Sequence, residues 1–375
     1  MRRLENIYRL GIKELFSLRH DAVLLALIVW AFTFSIYTAA TGMSHDLHNA
    51  SIAIVDEDHS QLSTRIREAF LPPYFREPKM ISFKDIDPGM DSGIYTFVLV
   101  IPDKFEADVL AGRHPAIQVD IDATAMMQAG IGDSYISNIL SQEITRFVDA
   151  GNSEDAYPVK IQTRYAFNPN ITSSWFTSVM EIINNVTMLS IVLTGAALIR
   201  EREHGTIEHL LVMPLTPFEI MMAKVWANGL VILVAAGLSL WLVVETLLRV
   251  PVAGSVPLFL AGTALYLFFA TALGIFLATL ARSMPQFGLI FMLVILPMEL
   301  LSGGNTPIES QPEALQIIMQ AVPSTHFVSF AQAILYRGAG IDIVWPQFAL
   351  VAGIGGLFFA FAAVRFRKSI AAMQS

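Results

Sequence analysis

Long apolar runs separated by short polar joints dominate the chain, with one long mixed interval after the first run. Six runs approach or exceed the roughly 20 residues that a helix needs to cross a bilayer core. They fall at about 22–41, 177–199, 225–248, 256–280, 286–303 and 344–364. Before them, Leu4, Ile7, Tyr8 and Leu15 are interleaved at helical spacing with Arg2, Arg3, Arg9 and Lys13. That pattern predicts an amphipathic helix over residues 1–20 lying on a membrane surface. The plainer reading is a solvated lead-in to the first span.

The interval between the first and second runs has a different period. Short apolar segments predict strands at 51–55, 95–101, 116–121 and 159–167. Ser60 can cap a helix over 62–70, Pro102 suits the start of a second, and Ile131, Tyr135, Ile139, Ile144 and Phe147 mark a third over 129–150. This β-α-β-α-β-α-β order predicts a small sheet covered by helices. The fold class expected is therefore an α-helical membrane protein. Six transmembrane helices carry an α+β domain inserted between the first and the second. The expected divisions are 1–20, 21–42, 43–174, 175–366 with a polar loop at 200–224, and 367–375.

Composition supports this class. Charged residues are 15% of the chain and hydrophobic ones 54%, whereas soluble domains carry about 25% charged residues. No A-x-A pattern follows the first run, so it reads as a retained span and not a cleaved signal. Cysteine is absent, which excludes disulfides, thiolate metal sites and thiol catalysis. The net charge of −8 includes no basic stripe that would favour nucleic acid. Lys and Arg cluster at the N-terminus, at Arg200, Arg202 and Lys224, at Arg282, and at Arg365, Arg367 and Lys368; the opposite short loops offer Arg249 and Arg337. The positive-inside rule then puts both termini in the cytoplasm and residues 43–174 outside.

The busiest polar segment follows the second run: Arg200-Glu201-Arg202-Glu203-His204-Gly205-Thr206-Ile207-Glu208. Gly205 breaks the preceding helix and Thr206 can cap a short one whose Ile207, Leu210 and Leu211 share a face. Pro214 ends it. Thr216-Pro217-Phe218-Glu219 is a capping box with proline at the first helical position. A short rigid helix here can transmit force; the plainer reading is an ordinary interfacial helix. The stretch from Arg200 to Pro217, with Glu219 and Lys224, resembles the signature loop of ABC-2 type transporter permeases. Further likenesses are Ile54-Val55-Asp56 with Ser60, Phe97 to Pro102 with Phe105, and Pro297, Ser302-Gly303-Gly304, Pro307 and Pro323. The resemblance covers nearly the whole chain. It implies an exporter subunit of a bacterial inner membrane, in the multidrug-type branch with a large outside domain. It also implies a loop that couples to a separate ATPase through Glu201, Glu203, Gly205, Thr206, Glu208, Leu211 and Pro214. The partners implied are that ATPase, a second permease chain (identical or related), membrane lipids and a periplasmic adaptor. ATP would be used by the partner, with no cofactor on this chain.

Other motifs carry less. Leu301-Ser302-Gly303-Gly304-Asn305 resembles the signature sequence of ABC ATPases, but the chain has no G-x-x-x-x-G-K-[ST] loop. Its glycines suit a helix end. Asp56-Glu57-Asp58 resembles the D-x-D of haloacid-dehalogenase phosphotransferases, against the plainer reading of an aspartate-rich turn. His45, His48 and His59 lack ordered metal-ligand spacing. Acidic groups inside spans face interiors or cavities, so Glu299, with Glu181 and Asn185 and the carbonyl that Pro297 frees one turn below it, is expected to line an outward gate for cationic amphiphiles. Snorkelling or a structural hydrogen bond is the plainer role. Two rivals to the exporter are a membrane sensor or scaffold and a membrane-anchored phosphohydrolase using Asp56 and Asp58.

Overall fold

The computed structural model describes residues 2–42, 47, 49–122, 126–149, 172–203 and 215–373. The chain forms two units, one of residues 1–43 and 174–375, the other of 44–173. In the first unit, helix α1 (Arg2–Arg19) precedes, among the described residues, six helices long and apolar enough to cross a membrane. These spans are Ala22–Gly42, Ser173–Glu203, Pro217–Leu247, Val256–Leu280, Met284–Leu301 and Ile341–Ser369. The end of the bundle where the second span stops and the third starts is called the loop end; the other is the insertion end.

The second and fourth spans form the centre. Of their most apolar windows 78% and 67% are buried, against 22–33% for the other four. Small residues allow this. A Cβ on Gly274 would lie 2.5 Å from the Ile191 carbonyl oxygen, and one on Gly195 3.1 Å from that of Gly274. Only glycine lets the two backbones approach so closely. Polar groups in this core pair with one another, as apolar surroundings require. The Thr187 and Tyr266 hydroxyls are 3.1 Å apart, and the Asn228 amide donates to the Thr194 hydroxyl at 3.3 Å. The first span contains a π turn, Ala31–Ser35. Such a turn strains the carbonyl ladder, and the Asn185 amide donates to the Ala31 carbonyl at 2.9 Å.

Two boundaries differ from the sequence expectation. The second span continues as helix to Glu203, so Arg200 to Glu203 form its last turn and not part of a loop. The third span begins at Pro217, eight residues before the apolar run, because Thr216 and Glu219 close the capping box there. The helix carries Lys224 inward with it, and the polar joint narrows accordingly.

The inserted unit holds a four-stranded sheet in the order β2-β1-β3-β4. Its strands are β1 (Ile52–Asp56), β2 (Lys79–Met80), β3 (Phe97–Ile101) and β4 (Gln118–Ile121). β1 runs parallel to β2 and β3, and β4 is antiparallel to β3. Its helices are α2 (Gln61–Ala69), α3 (Ile86–Asp91), α4 (Phe105–Leu110) and α5 (Met126–Asp149). One face of β3 packs with Leu62, Ile66, Phe105 and Ile136, the other with Ile86 and Tyr95. Covering on both faces explains why β3 is an unbroken apolar run. β2 and α3 were not expected from the sequence. The helix expected from Pro102 starts instead at Phe105, after Lys104 in the left-handed region (φ 60°). The strand expected at 159–167 lies outside the described residues.

After the fifth span, α6 (Glu313–Gln320) and α7 (Pro323–Arg337) lie at the insertion end. Phe327 of α7 stacks on Tyr266 of the fourth span at 4.1 Å, and the Tyr336 hydroxyl donates to the Phe176 carbonyl at 2.8 Å. α7 ends on Gly338 in the left-handed region (φ 69°), a conformation that favours glycine.

Candidate functional site

The loop end is built around one buried cation. Lys224 is 1% exposed; its ammonium donates to Glu14 at 2.8 Å and lies 3.0 Å from the Glu201 carboxylate. Three elements meet there: α1, the end of the second span and the start of the third. The sequence of α1 makes the approach possible. Ile7, Gly11, Glu14 and Leu18 recur at i, i+4, i+7 and i+11, one helical face. The Trp226 indole N–H donates to the Ile7 carbonyl at 3.0 Å, and Tyr8 stacks on the indole with planes 3° apart. Gly11 leaves room for the ring, since a Cβ there would lie 2.1 Å from it. The Asn6 amide completes the clasp by donating to Glu219 at 3.2 Å.

Burial alone would raise the Glu14 carboxyl. The Lys224 charge and hydrogen bond outweigh that and hold it below the usual carboxylate range. The cluster sets one ammonium against two carboxyl groups, so removing Lys224 would leave Glu14 buried without its counter-charge; breaking a buried pair in this way costs about 3–5 kcal/mol.

Each residue of the second span's last turn is fastened to a different place. Arg200 pairs with Asp21, which also caps the first span by accepting the Leu24 amide at 3.0 Å. The Leu24 bond first, and Arg200 next, hold the Asp21 carboxyl low against the opposing effect of burial. Glu201 meets Lys224. The Arg202 guanidinium donates to the Ala281 and Ala278 carbonyls, at 2.5 and 3.4 Å, where the fourth span ends. Glu203 accepts the Met284 amide, at the start of the fifth span, at 3.0 Å. Consecutive helical residues point about 100° apart, so four in a row reach four neighbours. A displacement of this turn acts on α1 and on the first, third, fourth and fifth spans together.

Of the residues expected to couple to a partner, Glu201 and Glu203 sit in this turn. Gly205, Thr206, Glu208, Leu211 and Pro214 lie outside the described residues. The roles of Glu14, Asp21 and Trp226 escaped the sequence reading. The available signal was Lys224, a charge so near an apolar run that it needs a partner.

Of the gate residues, Glu181 and Asn185 come together. Ser35 donates to Glu181 at 2.6 Å and the Asn185 amide lies 3.4 Å from the same carboxylate. Glu299 is half-buried and follows Pro297 in the fifth span. In the inserted unit, Asp56 accepts from the amides of Asp58 and His59 and from the Ser63 hydroxyl, while Asp58 accepts the Glu106 amide at 3.0 Å. Both carboxylates thus hold turns and helix starts. Among the described residues no group of three or more His, Asp or Glu is placed to hold a metal ion.

Six helices long and apolar enough to span, four of them bonded to the last turn of the second, define a polytopic membrane protein. Residues 22–364 match the family described as ABC-2 family transporter protein, and the chain belongs to that family. It is similar to the inner membrane transport permease YhhJ of Escherichia coli K12, 57% identical over the whole of both chains. It is also similar to the probable multidrug ABC transporter permeases YbhR and YbhS of that strain. YbhR is 25% identical, covering 93% of this chain and 95% of its own length. YbhS is 24% identical, covering 84% and 82%.

Proposed function

We propose that this chain is the inner-membrane permease subunit of an ATP-binding-cassette exporter that moves amphipathic or lipid-like molecules. In this reading both termini and the loop at 204–214 are cytoplasmic. The loop docks on a separate ATPase, and two permease chains pair to enclose the path. Family membership, the inner-membrane relative and the multidrug relatives support the reading. The carrying observation is the last turn of the second span, which leads directly into that loop and is bonded to four other places. When the ATPase closes on ATP, it displaces the loop, and the spans follow as packed bodies and not as independent strings. The test is co-purification in mild detergent. The permease should bring an ATPase with it, and Glu208→Arg should release that partner; retention by the variant would refute docking at the loop.

Glu181, Asn185 and Glu299, with Pro297, form the outward gate in this reading. Carboxyl groups at Glu181 and Glu299 near an apolar path favour cationic amphiphiles. Glu299→Gln should slow export of such compounds several-fold without lowering the amount of folded protein. Unchanged export would remove Glu299 from the path. The inserted unit, outside the membrane, receives an adaptor.

A further inference from the structure

At the insertion end, a cavity of 480 Å³ lies between the start of the second span, the end of the fifth and α7, and the transport reading gives it no role. Its volume falls within the roughly 300–1,000 Å³ typical of small-ligand pockets. Thr325, Ser329 and Gln332 line it from one face of α7, at i, i+4 and i+7. Asn305 and Glu309 line it from the stretch after the fifth span, and Arg337 from the end of α7.

Two features point to a ligand. Thr325 is 4% exposed, yet its hydroxyl has no hydrogen-bond partner among the described residues. A buried hydroxyl left unpaired is costly, and an oxygen of a guest would satisfy it. Glu309 and Arg337 are both solvent-exposed and face this one cavity, and neither makes an ion pair with any described residue. A pocket lined by both a cation and an anion suits a molecule that carries both charges. Within the lining, Phe176 presents apolar surface, 42% exposed.

We propose that this cavity binds the headgroup of a zwitterionic phospholipid. The phosphate lies at Arg337 and Thr325, the ammonium at Glu309, and the acyl chains run outside along the apolar surface. Guanidinium matches phosphate through charge-assisted hydrogen bonds, and the short span between the two lipid charges suits a carboxylate lining the same cavity. The assignment stands independently of substrate and of ATPase docking.

The experiment uses the full-length chain, delipidated in detergent and titrated with phosphatidylethanolamine, phosphatidylglycerol or soluble phosphoethanolamine, with bound ligand read by native mass spectrometry. Phosphatidylethanolamine should bind several-fold tighter than phosphatidylglycerol. Arg337→Gln should weaken both by about tenfold, the size of one charge-assisted bond. Glu309→Gln should abolish the preference between them, and Arg249→Gln, an exposed arginine outside the cavity, should change nothing. Arg337 is exposed, so its replacement tests the site and not folding. Equal binding of the two lipids, or an Arg337→Gln chain that behaves like Arg249→Gln, would overturn the site. Displacement of the lipid by equimolar phosphoethanolamine would overturn its assignment to a membrane lipid.

Discussion

Lys224 is tolerated inside the bundle because two carboxylates reach it, one from α1 and one from the second span. Glu14 is the partner whose titration can be followed. Its folded value is depressed, so it stabilises the fold above the ordinary carboxylate value of about 4.3, and that contribution disappears as pH falls through the lower folded value. The melting temperature of the wild type should therefore exceed that of Glu14→Gln most at neutral pH. The gap should close as pH drops below about 4, as read by thermal unfolding in detergent. A gap independent of pH would remove the Glu14 charge from the account. Arg200 and Asp21 follow the same logic nearer the surface, where screening makes each pair worth less.

Helix α1 is fixed by shape as much as by charge. Gly11 against Trp226 allows the close approach, and the indole bond to Ile7 sets its height. Gly11→Leu should lift α1 off the third span, which is read as a red shift of tryptophan emission and faster proteolysis of the N-terminus. An unchanged spectrum would show that the contact is dispensable. The spans were legible in the sequence because about 20 apolar residues admit no other use, and β1, β3 and α2 were legible from solid strand runs and the Ser60 cap. β2 was not, because two residues, Lys79 and Met80, carry no periodicity and become a strand only by pairing with Ala53 and Ile54. The Lys224 cluster was missed for a related reason. Glu14 lies 210 positions from its partner, and no local pattern encodes a contact at that distance. Glu181 and Asn185 were legible as one helix face; their tie to the π turn at Ala31–Ser35 was not, since nothing in that apolar stretch marks the wider turn.

For the whole molecule, these contacts make the loop end a junction. No phosphate-binding loop occurs in the sequence, and the last turn of the second span can pass a displacement on to most of the bundle. The inserted unit folds around its own two apolar clusters, so it can act as a separate body while the spans move. The account stands or falls on where work enters. The most direct measurement reconstitutes the purified permease in liposomes, with and without its ATPase and ATP, and follows accumulation of a cationic amphiphile against its gradient. The account predicts uphill movement only when ATPase and ATP are both present. Uphill movement by the permease alone would contradict it.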